Sequence, residues 1–531
     1  MQQNEPYYLS LIVPVYNAET FLANTLGRLD DYLNQYKRPA ELILVDDGSR
    51  DSSPDILKEF AAKSHPYPVT ILKNQPNKGK GYSVARGLLA SKGKYRVFTD
   101  CDMAYPPSEI DKITLSLERG FDVAVACRVH KDSRYTISPA FFRYLYTRHI
   151  ASRFFNFVLR MFLLPLCRDS QAGLKGFTSD AAQKIFSRQK IQGFSFDMEA
   201  LFLADRLNLL VEEVSVNYSY FDEPTTIKFL EDSLGVLRDI LRIKWRSLRN
   251  GYKLPEESDG IKRLIVNADD FGLTDKTSRG IIETIKNGIV TTTSIMANSF
   301  VSNTIKEDID TGIHFTLTYG RPVTEQALIK SLADKNGAFY PRGTFYLKAL
   351  TGRIDPLDVY RELSAQLKLL KAGGIKISHI DSHHHVHILP GIRDIVAQIA
   401  LENNVRFVRA PYAKGLCQTA CATFRKWIVS RFEGAYPQFW HRKGIHTIGN
   451  FGGFELIGDK DLLKRWKKFL KKLPYGTTEV MVHPGLNDET INDSYIKGRA
   501  TEVEVLKNPE LKEICRREGI ELVNFNAFSG K

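Results

Sequence analysis

Ile377-Ser378-His379-Ile380-Asp381-Ser382-His383-His384-His385-Val386-His387 gathers five of the chain's 12 histidines into one short segment. Read as a strand over Lys376 to Asp381, its side chains alternate between two faces, which places His379, Asp381 and His383 on one side with His385 next in line. Neutral imidazole is the commonest metal ligand, and a neighbouring carboxylate orients the ring by accepting its other N–H. The row therefore has the composition of a metal site. Three more segments of the same half carry matching parts. Asn267-Ala268-Asp269-Asp270-Phe271-Gly272 comes after the apolar run Leu264 to Val266 and puts two acids at a strand's C-terminal end. Gly312-Ile313-His314-Phe315-Thr316-Leu317-Thr318 sets a histidine on another strand, and Val480-Met481-Val482-His483-Pro484-Gly485 ends a third in the same way.

A chain of 531 residues exceeds one ordinary core, so two or three domains are expected. With 43% hydrophobic and 25% charged residues the composition is that of a folded protein rather than a disordered one. A net charge of +13 points to an anionic partner: nucleic acid, a nucleotide or a phospholipid surface. No nucleic-acid-binding module is recognisable, which sets that class aside. The six cysteines lack zinc-finger or disulfide-framework spacing and read as reduced cytosolic thiols, the Cys417 and Cys421 pair included. Met1 to Pro6 has none of the marks of a signal peptide, and no run reaches the roughly 18 apolar residues that span a bilayer. The expectation is a cytoplasmic protein, soluble or peripheral on the cytoplasmic face of a membrane.

In the N-terminal half, Tyr8 to Val15 and Glu41 to Val45 read as buried strands separated by a helical pattern over Thr20 to Tyr36. Such alternation predicts a mainly parallel sheet with ligands beyond the carboxyl ends of its strands. Pro14-Val15-Tyr16-Asn17-Ala18-Glu19 and Asp46-Asp47-Gly48-Ser49 both stand at such ends. Asn77-Lys78-Gly79-Lys80-Gly81 precedes a helical stretch and offers flexible backbone, cations and a helix N-terminus to a phosphate. A strand over Tyr95 to Phe98 then ends in Thr99-Asp100-Cys101-Asp102, two carboxylates able to hold a divalent cation against a diphosphate.

That ordered set resembles the family-two, inverting nucleotide-sugar glycosyltransferases, and among them the dolichyl-phosphate or polyprenyl-phosphate sugar synthases, over roughly Tyr8 to Tyr220. The resemblance implies a nucleotide-sugar sandwich in which Pro14, Tyr16, Glu19 and Asp46 line the nucleoside pocket, Asp100 and Asp102 hold Mg2+ or Mn2+, and Lys80 approaches the phosphates. Asp169-Ser170-Gln171-Ala172-Gly173-Leu174-Lys175-Gly176-Phe177 resembles the family's acceptor-side loop, and Phe194-Ser195-Phe196-Asp197-Met198-Glu199 its next acidic motif, which makes Asp197 a catalytic candidate beside Asp102. No Gln-x-x-Arg-Trp motif of processive synthases is present, so transfer of a single sugar is expected.

Phe141 to Leu166 interleaves Arg143, Arg148, Arg153 and Arg160 with aromatic and apolar residues, a pattern suited to a membrane interface or to a core helix with snorkelling arginines. Leu234 to Tyr252 is similarly basic, and fits either a membrane-surface helix or the helix closing the first domain. The expected division is residues 1–253, a linker at 254–261 and a second domain at 262–531.

Beyond the linker, strand-like runs alternate with helical patterns such as Leu357 to Leu370 and Ile392 to Glu402. This predicts an irregular (β/α) barrel, short of eight strands, with its chemistry at the strands' C-terminal ends. Ile265 to Gly272, Gly280 to Val290, His314 to Gly320, His379 to His387 and His483-Pro484 resemble the YdjC-like carbohydrate deacetylases. The resemblance implies that Asp270, His314 and His383 bind Mg2+ or Zn2+, with Asp269 as general base and His483 as acid or oxyanion partner. The whole chain then reads as a bifunctional enzyme. Its first half takes an N-acetylhexosamine from a UDP-sugar to polyprenyl phosphate at an anionic membrane surface, and its second half deacetylates the lipid-linked product. Two rivals are a polyprenyl-phosphate hexose synthase joined to a deacetylase of soluble chitooligosaccharides, and a membrane or glycan-binding module with one inactive domain. The oligomeric state is not written in the sequence.

Overall fold

The computed structural model describes residues 5–137, 167–207, 209–220, 229–249, 251–252, 260–299, 309–412, 420–457, 460–488 and 496–528. The arginine-rich segment Phe141 to Leu166, most of the expected linker and Cys417 lie outside the described residues. The chain divides into two compact units, Met1–Leu254 and Pro255–Lys531. No helix among the described residues is long and apolar enough to cross a membrane.

The first unit is built on strands β1 (Tyr7–Val15), β2 (Ala40–Asp46), β3 (Val69–Lys73), β4 (Gly93–Thr99), β5 (Val123–Cys127), β6 (Arg134–Ile137), β7 (Leu174–Thr178), β8 (Val211–Ser215) and β9 (Asn217–Tyr220). Among the described residues the main sheet has the order β3-β2-β1-β4-β7-β5-β8, and β6 pairs with β9 apart from it. Within that sheet only β7 runs antiparallel to its neighbours, β4 and β5. β1 from Leu9 and all of β2 are buried, as expected of parallel strands covered by helices on both faces. Their register pairs Pro14 with Val45 and Val15 with Asp46, so both strands deliver their polar ends to the same edge.

The second unit is the barrel-like half. Its strands β10 (Lys262–Phe271), β11 (Thr292–Ile295), β12 (Thr311–Phe315), β13 (Ile377–Ser382), β14 (Phe407–Val408), β15 (Asn450–Gly452), β16 (Gly476–Val482) and β17 (Ile520–Leu522) are all parallel. They take the order β14-β13-β12-β11-β10-β16-β15, with β17 paired to the start of β10. A backbone bridge between Phe407 and His446, four residues ahead of β15, ties one edge of the curled sheet towards the other. The fold class expected from the sequence, an α/β sandwich and then an irregular (β/α) barrel, is the one observed, but the expectation of fewer than eight strands is corrected: among the described residues the sheet has eight, because β15, three residues ending in glycine, carries no apolar run to mark it.

Under the C-terminal mouth of this barrel the interior is polar but closely packed. His379 is fully buried, stacked at 3.9 Å on Phe525, and its Nε2 donates to Asn267 Oδ1 at 3.1 Å. Burial pushes its imidazole down to about 4, and that of His387 likewise to about 4. Both rings must therefore be neutral in the folded unit, whereas in an unfolded chain they protonate near pH 6.5. Their contribution to stability is fully present above about pH 6.5 and is lost as pH falls towards 4. Thermal denaturation monitored between pH 7 and 5 should show this loss, and His379→Gln should flatten it at some cost to stability at pH 7.

Candidate functional site

In the first unit, the glycine loop is organised by a carboxylate that sequence reasoning passed over. Asp47 accepts from Lys78 N at 3.0 Å, from Gly79 N at 2.8 Å and from Asn74 Nδ2 at 2.8 Å, which locks the loop against the end of β2. Gly79 has φ 95° and lies so close to the next loop that a Cβ would stand 2.7 Å from Gln192 O. The helix Lys80–Ala90 begins there, and Lys80 Nζ reaches Asp100 Oδ1 at 2.6 Å.

Asp100 sits against the acceptor-side loop. Its N–H donates to Gly173 O at 3.0 Å, and a Cβ on Gly173 would fall 2.0 Å from Asp100 Oδ2. Asp102 turns back to accept from Ala104 N at 3.0 Å; burial and the Asp100 charge raise its carboxyl above the ordinary value. Asp197 is buried and bonded by the fully buried Lys175, whose Nζ also reaches Ala172 O, each at 2.6 Å. Asp46 accepts from Ser49 N at 2.9 Å and leaves Oδ2 buried without a partner. Glu19 accepts from Ser52 N at 2.9 Å, Pro14 is buried and Tyr16 is exposed at the same sheet edge. The structure thus draws Lys80, Asp100, Asp102 and Asp197 together, with Pro14, Tyr16, Glu19 and Asp46 at the adjoining ends of β1 and β2. Arg128 was not foreseen: it grips Asp169 with two bonds of 2.7 Å and holds the start of the acceptor-side loop.

In the second unit a bulge does what alternation alone cannot. One extra residue enters β10 between Ala268 and Phe271, and Asp270 adopts φ 68°, so two successive acids serve one cluster. Asp270 Oδ1 lies 2.8 Å from His383 Nδ1 and 3.2 Å from His314 Nε2, while its Oδ2 accepts from Arg499 Nη2 at 2.7 Å. The other nitrogen of His314 meets Asp381 Oδ1 at 2.7 Å, across paired positions of β12 and β13. Donor atoms of Asp270, His314 and His383 converge within 4.8 Å of one another. Two imidazoles and one carboxylate, with a carboxylate behind one imidazole, form a donor set that fits a divalent cation.

His383 is delivered by an unusual turn. After β13 ends at Ser382, His384 (φ 58°) and His385 (φ 55°) are both left-handed, which costs about 1–2 kcal/mol for each non-glycine residue. Tyr346 Oη donates to His384 O at 2.6 Å, His384 Nδ1 meets Thr318 Oγ1 at 3.0 Å, and the His385 ring stands edge-on to Phe451 and Phe454. The alternating row is therefore corrected at its end: His385 leaves the site for an aromatic pocket, because the backbone ceases to be a strand at His383. His379 keeps the expected face but lies deeper, beyond Asn267, and away from the cluster.

Asp269 is held by Arg409 in a bidentate pair at 2.7 and 2.8 Å, with Asn267 Nδ2 donating to it at 2.8 Å. The same buried guanidinium reaches Asp381 at 2.7 Å and Glu479 at 2.6 Å. Asp269, His314 and Asp381 also cluster, yet Arg409 already occupies both carboxylates. Burial raises Glu479 to about 7 against the opposing pull of Arg409. His483 closes β16; its N–H donates to Glu502 Oε2 at 2.5 Å and its carbonyl accepts from Arg499 Nη1 at 3.4 Å, the arginine that also binds Asp270. Arg409 opens an Arg-Ala-Pro-Tyr run directly after a strand, a signal that could have been read, whereas Arg499 comes from the helix Ile496–Leu506 with no motif to mark it.

Comparison with known proteins agrees with this geometry in two parts. The family model described as Glycosyl transferase family 2 matches residues 10–186, and that described as YdjC-like protein matches residues 263–517. A dolichyl-phosphate beta-glucosyltransferase of Dictyostelium discoideum is 31% identical over 255 residues, 46% of this chain and 77% of the relative. A carbohydrate deacetylase of Brevibacillus brevis is 34% identical over 273 residues, 50% of this chain and 98% of the relative. A chitooligosaccharide deacetylase of Yersinia pestis is 32% identical over 274 residues, again 50% of this chain and 98% of the relative.

The Arg409 network makes its own prediction. Arg409→Met strands buried carboxylates without a counter-charge and should lower stability by roughly 3–5 kcal/mol. Glu479→Gln leaves Arg409 paired with Asp269 and Asp381, so its denaturation midpoint in urea should stay far nearer the parent's.

Proposed function

Because the chain belongs to two families at once, a family-two glycosyltransferase fused to a YdjC-like carbohydrate deacetylase, we propose that its two halves act in sequence on one substrate. The first half transfers an N-acetylhexosamine from a UDP-sugar to polyprenyl phosphate, with inversion. The second removes the acetyl group while the sugar is still lipid-linked. What supports this reading is that one polypeptide carries both a Lys80–Asp100 pair at the end of β4 and a converging set of Asp270, His314 and His383. The lipid-phosphate acceptor rests on the dolichyl-phosphate relative, and covalent fusion raises the effective concentration of the first product at the second site.

In the transferase, Asp100 and Asp102 would hold Mg2+ or Mn2+, and that ion would neutralise the donor diphosphate. Lys80, at the helix N-terminus, adds a positive charge where the leaving phosphate develops its own negative charge. A phosphate acceptor is anionic near neutral pH and needs positioning more than a strong base, which suits an Asp197 already bonded to Lys175.

In the deacetylase, Asp270, His314 and His383 would hold Mg2+ or Zn2+, which when bound polarises the acetyl carbonyl and acidifies a water. Asp381 fixes the His314 ring by accepting from its second nitrogen. Arg409 aims Asp269 with two bonds, so Asp269 can accept the water's proton. His483, on the neighbouring strand end, protonates the departing amine. His383→Ala should abolish acetate release and weaken divalent-ion binding measured by calorimetry, while glycosyl transfer persists. Asp269→Asn should keep the ion yet lose about 10²- to 10⁴-fold in turnover.

The deciding experiment incubates the purified chain with polyprenyl phosphate and, separately, UDP-N-acetylhexosamine, UDP-glucose and GDP-mannose, with mass spectrometry of the lipid extract as the readout. The expected products are the acetylated and then the free hexosamine lipid. Asp100→Ala or Asp102→Ala should stop both unless acetylated lipid is supplied. The second reading, favoured by the glucose in the Dictyostelium relative's name, pairs a hexose synthase with a deacetylase of soluble oligosaccharides. Formation of a hexose lipid alone, with acetate released only from chitooligosaccharides, would establish it instead.

A further inference from the structure

The helix Phe229–Leu248 has two unlike faces. Ile240 and Ile243 are buried against the first unit, and just beyond the helix Tyr252 Oη donates to the buried Glu199 at 2.7 Å. Glu199 in turn accepts from Lys190 N at 2.8 Å and Ile191 N at 2.7 Å, in the loop whose Gln192 carbonyl packs on Gly79. The helix is thus the closing element of the first unit, and is tied to the loop that carries Lys80.

Its outer face carries a second design. Arg238, Leu241, Arg242, Trp245 and Arg249 recur at helical spacing within an arc of about 100°. Leu241 is 63% and Trp245 is 54% exposed. Arg249 stacks its guanidinium 4.0 Å over the Trp245 ring, Lys244 flanks the stripe, and Asp239, paired with Arg242 at 3.2 Å, is an acid beside it. An exposed Trp and Leu cost free energy in water, and a ring of cations around them repels a basic partner. Both features are satisfied together at the boundary between anionic headgroups and acyl chains.

We propose that this stripe is the face by which the first unit docks on an anionic lipid surface, the bilayer that would hold the polyprenyl phosphate. The inference rests on the lipid-acceptor reading, which it deepens by naming where the chain meets the lipid. Since Glu199 joins the helix to the Gly79 loop, docking there fixes the donor-phosphate loop relative to the bilayer plane.

The test uses the full chain in flotation with phosphatidylcholine vesicles, with and without phosphatidylglycerol. The parent should bind only the anionic vesicles, and progressively less as salt rises. Leu241→Ser/Trp245→Ser and Arg238→Glu/Arg242→Glu should each weaken binding by more than about tenfold, with unchanged circular dichroism. Transfer to polyprenyl phosphate embedded in vesicles should fall in step, whereas transfer to the same lipid dispersed in detergent should not. Vesicle binding that is unchanged in both variants, or equal for neutral and anionic vesicles, overturns the proposal. So does a parent dimer in light scattering that Trp245→Ser dissolves, which would make a second copy the occupant. Absence of transfer in detergent by the parent refutes the lipid-acceptor reading itself, separately from the docking face.

Discussion

Arg409 lies fully buried between Asp269, Asp381 and Glu479, and the second unit's site is arranged around that one guanidinium. The three acids come from β10, β13 and β16, so a single cation ties three strands together. Removing charge from water is costly, and planar, five-donor arginine is the side chain able to satisfy several carboxylates at once. Through Asp381 the network reaches His314, and through Asp269 it reaches the proposed base. What stabilises the barrel mouth and what tunes its chemistry are the same hydrogen bonds.

The first unit solves a related problem with lysines. Lys175 is buried beside Asp197, and Lys80 beside Asp100, so two acids of the expected site already have a cation of the protein as counter-charge. Burial disfavours the Asp197 charge and raises its carboxyl, with Lys175 and Lys80 opposing that rise. Its bond to Lys175 makes Asp197 a brace, since it links the helix Phe196–Arg206 to β7 and, through Lys175, to the Ala172 carbonyl. The close approach of Gly173 to Asp100 extends the brace to the end of β4.

Much of this was legible in the sequence because parallel strands announce themselves as apolar runs, and the chemistry sits on the residues just past the end of each run. Asp100, Asp102 and His383 obey that rule, whereas Asp270 and His314 stand within the last residues of β10 and β12. Legibility failed wherever the backbone departed from a regular strand. Alternation could not anticipate two successive left-handed histidines, nor a bulge that lets Asp269 and Asp270 face one cluster, since neither leaves a compositional mark. β7 was hidden inside a loop motif, and it runs antiparallel to β4 and β5. Arg499 looks like an ordinary solvated arginine until the fold buries it against Asp270, from the far end of the unit.

A deacetylase acting on a lipid-linked sugar must find a headgroup confined to a surface, and diffusion of a separate enzyme to that surface is slower than transfer within one molecule. On the proposed reading, the first unit would have to stay at the bilayer between turnovers. Among the described residues, the feature that meets it is an amphipathic helix whose inner face completes the core and whose outer face exposes Leu241 and Trp245 among arginines. Interfacial binding of this kind is reversible and salt-sensitive, unlike a membrane span. Under the proposed reading it would leave the chain free to release one lipid and take the next, provided the contact is weak enough to break within a catalytic cycle.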